Sequence, residues 1–112
     1  MSDYTIQTVS HPFFREIPVV TDDRGRIYYR SKNVANAFGY KNFPPKAMGE
    51  HKMVTEQHKG LNNTTVEIDV RYVESAVIAD WLQGKANREV AELRRKYRNI
   101  INDILTFVPN KD

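Results

Sequence analysis

The stretch Tyr28-Tyr-Arg-Ser-Lys-Asn-Val-Ala-Asn-Ala-Phe-Gly-Tyr-Lys-Asn42 writes a strand end, a short helix and its stop into fifteen consecutive residues. Ser31 is the expected N-cap, Val34, Ala35 and Phe38 share one helical face, and Gly39 suits the left-handed position that closes a helix. Upstream, residues 13–20 and 26–30 are rich in aromatic and β-branched side chains. Asp22-Asp-Arg-Gly25 supplies turn chemistry between them, so a β-hairpin is expected. Pro18 removes one ladder donor from the first strand and places it at a sheet edge or beside a bulge. Residues 2–11 are polar with weak alternation, either an edge strand or a loose terminus.

Downstream, two prolines suit the first turn of a second short helix from Pro44 or Pro45 to about His51, forming a helix–turn–helix-like pair with the first. Residues 53–57 and 64–70 read as a second hairpin, with Val66, Ile68 and Val70 alternating against Thr65, Glu67 and Asp69. From Arg71 the pattern turns helical. Val73, Ala76, Val77, Trp81 and Leu82 form its stripe, Gly84 marks its end, and Trp81 is expected against the following helix. That last helix starts at an Asn87 cap and runs to about Phe107, ahead of Pro109. The expected architecture is one α+β domain over residues 1–112. It has a small antiparallel sheet from two β-hairpins, two short helices and two C-terminal amphipathic helices.

The ordered phrase Asn33, Val34, Ala35, Ala37, Phe38, Gly39, Tyr40 and Asn42, after an aromatic strand, resembles the N-terminal domain of the BRO and phage-antirepressor proteins. The likeness covers about residues 17–51. Asn33 departs from it, since the family usually has an acidic residue there, and the family's common second domain has no counterpart. The resemblance implies a small phage- or virus-type regulator that binds duplex DNA.

Charge is distributed in keeping with that implication. The chain carries a formal +3, but residues 24–59 hold eight Lys and Arg against two acids. Arg24, Arg26, Arg30, Lys32, Lys41 and Lys46 are the expected phosphate contacts. Asn33, Asn36 and Asn42 are the expected base readers, and His51 and Lys52 add donors. The last helix carries more apolar surface than its neighbour can cover, so Tyr97, Ile101 and Leu105 are expected in a homodimer contact. The alternative is a viral effector that binds a host or phage protein, such as a repressor, a polymerase or a defence complex, without touching DNA.

Other chemistries are poorly supported. The chain has no cysteine, and His11, His51 and His58 lack metal-ligand spacing. Its five glycines form no phosphate loop, and Ser31 has no nearby histidine to activate it. Asp22-Asp23 is explained by the turn it precedes. No enzyme activity, cofactor or metal is therefore expected. No apolar window suits a membrane span or leader, and a cytoplasmic protein of the host cell is expected.

Overall fold

The computed structural model describes residues 4–44 and 51–109. It is an α+β fold with five strands: β1 (Tyr4–His11), β2 (Arg15–Asp22), β3 (Ile27–Arg30), β4 (His51–Lys59) and β5 (Thr65–Glu74). They form one antiparallel sheet in the order β1-β2-β3-β5-β4. The described α-helices are α1 (Ser31–Ala37), α2 (Ser75–Ala86) and α3 (Ala91–Thr106). Both expected hairpins are present, and residues 4–11 add an edge strand to the first.

The period-two alternation of the strands builds two apolar clusters on opposite faces. Val9, Ile17, Val19, Tyr29 and Val73 pack against Val34 and Ala35 of α1, Ile78 and Leu82 of α2, and Ile100 and Ile104 of α3. The opposite face buries the smaller cluster Val20, Tyr28, Val54 and Tyr72. Ile6 of β1 and residues 55–58 of β4 share a cavity of about 490 Å³ on this second face, with Pro18, Arg30, Asn33 and Tyr72. A flat sheet would hold those two edges roughly 19 Å apart at ~4.8 Å per strand, so the sheet is curled about this face.

Several boundaries differ from the sequence reading. β5 continues through residues 71–74 because Tyr72, Val73 and Glu74 pair with Arg30, Tyr29 and Tyr28 while Arg71, Tyr72 and Val73 pair with Met53, Lys52 and His51, and these ladders override a locally helical pattern. α2 therefore starts at Ser75, and it passes Gly84 to end at Ala86. Asn87 closes α2 rather than opening α3: its N–H donates to the Gln83 carbonyl, and its side chain accepts from the Gln83 amide. Ser31 is the first residue of α1 and not its cap, which is Arg30 without a side-chain bond. Pro18 lies in the inner strand β2, opposite Thr8, but β3 pairs only with residues 19–21, so among the described residues β2 has no strand partner on that side at the proline. The second short helix falls mainly outside the described residues, and His51 opens β4.

Gly39 has φ +84° and completes the expected stop. Its N–H donates to the Asn36 carbonyl at 3.0 Å and that of Tyr40 to the Ala35 carbonyl at 2.9 Å, a Schellman closure. The chain leaving α1 then folds onto α2. Trp81 is consequently half-buried, with its ring against Phe38, Tyr40 and Phe43, and it packs on the core cluster that includes Ile100 and Ile104 of α3.

Candidate nucleic-acid interface

The β2–β3 turn is organised by one carboxylate. Asp22 accepts the N–H groups of Arg24 and Arg26 at 3.0 and 2.9 Å, the Arg26 Nε at 2.8 Å and the Tyr28 hydroxyl at 3.3 Å. Burial alone would raise the pKa of this carboxyl. The bonds from Arg26 and Arg24 more than offset burial and hold it below the ordinary range. Gly25, at φ +81°, closes the turn in the left-handed conformation that its backbone permits. Arg26 is thus spent largely on Asp22, while Arg24 is exposed.

Arg30 is similarly engaged. Its Nε and Nη2 donate to the two Glu56 carboxylate oxygens at 2.9 and 3.0 Å, and its Nη1 donates to Asn33 Oδ1 at 2.8 Å. The Tyr72 hydroxyl donates to Glu56 at 2.8 Å, and His58 Nε2 lies 2.9 Å from the same carboxylate. The Arg30 bonds, opposed by burial and reinforced by His58 and Tyr72, pull the Glu56 pKa down to about 2. This network fixes the second hairpin to the start of α1. It also occupies the Arg30 guanidinium and the Asn33 carbonyl oxygen within the fold.

What remains lies along α1 and the loop after it. Val34 and Ala35 face the core, which turns Lys32 and Asn36, one helical turn apart, to solvent. Past the Gly39 stop, Tyr40, Lys41 and Asn42 are exposed in succession. The loop is anchored from α2: the Lys85 ammonium donates to the Tyr40 hydroxyl and lies over the Tyr40 and Trp81 rings at 4.4 and 4.9 Å. Lys85 was not legible as a site residue, because it stands 45 positions from Tyr40. Lys52 sits apart on β4, 5.3 Å from the Tyr28 ring centre, and His51 is exposed at the start of that strand. Lys46 lies outside the described residues.

The expected dimer residues are separated too. Tyr97 and Ile101 are half-buried against the main core, while Leu105 is exposed. Phe13 of the β1–β2 turn and Phe38 join Leu93, Tyr97 and Ile100 around a cavity of about 210 Å³, so the N-terminal hairpin covers part of the α3 stripe. No group of metal-ligating side chains occurs among the described residues, and no described helix is long and apolar enough to cross a membrane. No protein-family model, curated protein or solved structure matches this chain.

Proposed function

We propose that this protein is a small regulatory module that binds duplex DNA, as the resemblance of residues 17–51 to phage antirepressor N-terminal domains implies, and that it acts as a homodimer without catalysing a reaction. The observation that carries the reading is the exposed run of Lys32, Asn36, Tyr40, Lys41 and Asn42. It offers two unpaired cations for phosphates, two amides for base edges and one aromatic ring held in place by Lys85. Arg26 and Arg30 are held by Asp22 and Glu56, so we assign neither of them a phosphate. Amide chemical shifts followed during titration with a short mixed-sequence duplex test this. Shifts concentrated in residues 31–42 support it, and an unperturbed α1 refutes it.

One observation favours a protein partner as a second reading. Val66 and Ile68 are 45% and 43% exposed on the same side of the second hairpin, and Leu61 at its tip is 87% exposed. Perturbation confined to residues 55–69 by a protein ligand, with no response to DNA, would select that reading.

A further inference from the structure

We propose that β1 is the edge through which two copies of this chain pair, antiparallel about a two-fold axis, into one continuous sheet. An edge strand presents a row of backbone N–H and C=O groups that template another strand, and proteins that stay monomeric blunt such edges with charge, proline or bulges. The two edges of this sheet are built in opposite ways. β4 carries His51, Lys52, Glu56, His58 and Lys59. Pairing it with itself about its central Thr55 would set Lys52 opposite His58 and His51 opposite Lys59, so that neither lysine meets an acid.

β1 has none of these defences. From Tyr4 to Ser10 it contains no charged side chain and no proline, and its register with β2 runs through all eight residues without a bulge. A two-fold axis normal to the sheet keeps each side chain on its own face, so paired positions must share parity. With the axis at Gln7, Ile6 meets Thr8 and Thr5 meets Val9. This sets β-branched residues against each other, in pairings favoured between neighbouring strands. Ile6, half exposed in the single chain, gains cover. Nothing on the strand opposes its own copy, and that self-complementarity selects a second copy of this chain over a charged peptide as the occupant.

The test is sedimentation without DNA, so it stands or falls separately from the DNA reading. The parent should sediment near 26 kDa, twice the 13.0 kDa chain. Ile6→Lys combined with Thr8→Lys places lysine opposite lysine twice across the axis and should give a monomer. Leu105→Asp on α3 should leave the dimer intact. Amide exchange on the parent guards against a variant that fails to fold: exchange in residues 4–10 should slow as concentration rises. A parent that is monomeric at about 100 µM overturns the proposal. So does a dimer that survives the lysine pair, one that Leu105→Asp dissociates, or β1 exchange that ignores concentration.

Discussion

Glu56 and His11 are the two side chains whose surroundings most clearly translate into measurable pH behaviour. Glu56 titrates near 4.5 in an unfolded chain and at about 2 here, so its contribution is complete above pH 4.5 and disappears as pH falls towards 2. Arg30→Ala strands this carboxylate on Tyr72 and His58 and should cost about 1–3 kcal/mol of stability, read from the denaturant midpoint. An unchanged midpoint would show the network to be ornamental. His11 works with the opposite charge. It is buried, its Nδ1 accepts the Phe13 and Phe14 N–H groups at 3.0 and 3.2 Å, and its Nε2 has no bond of good geometry although Asp103 lies close enough to act on it. Burial lowers its pKa and Asp103 only partly restores it, so the unfolded chain takes up the proton first. The stability His11 confers is therefore full above about pH 6.5 and is lost as pH falls through the lower folded value. His11→Asn retains an acceptor for the turn but cannot titrate. It should flatten the stability profile between pH 6.5 and the 4.5 at which Glu56 begins to act, and a slope as steep as the parent's would contradict this.

Elements were readable from sequence where their determinants are local. The 22–25 turn is one case, since the backbone groups that Asp22 caps lie within four residues of it. The Gly39 stop is another, because a left-handed residue after an apolar helical face needs no distant partner. Gly39→Ala places a Cβ in open space but keeps the positive φ, so its penalty is conformational and should be about 1–2 kcal/mol. Thermal unfolding checks that value, and no loss of stability would mean that the α1 end is not held in this conformation. The helix boundaries at Arg71 and Asn87 were misread for the opposite reason. What keeps residues 72–74 extended is pairing with β3, more than forty positions upstream, on one side and with β4 on the other, and what recruits Asn87 to α2 is an end that ran past Gly84.

At the scale of the whole molecule, long-range pairing decides which cations remain available, and pairing across 26 residues, as between Arg30 and Glu56, leaves no trace in composition or spacing. A basic segment in the sequence is therefore a smaller basic surface in the fold. Arg26 and Arg30 are engaged by Asp22 and Glu56, while Lys32 and Lys41 are exposed and are the cations we propose for phosphates. The same lesson applies to α3, where periodicity identified the stripe but could not show that Phe13 and Phe38 would cover its middle.

The most direct test of DNA recognition by the α1 surface is a fluorescence-anisotropy titration of a mixed-sequence duplex at several salt concentrations, comparing the parent with Lys32→Ala/Lys41→Ala. The parent should bind with affinity that falls steeply with salt. The double variant should bind every duplex more weakly, with a log–log salt slope shallower by about two units, one for each lost phosphate contact. Identical affinity and slope for the two proteins would contradict the assignment of this surface to DNA.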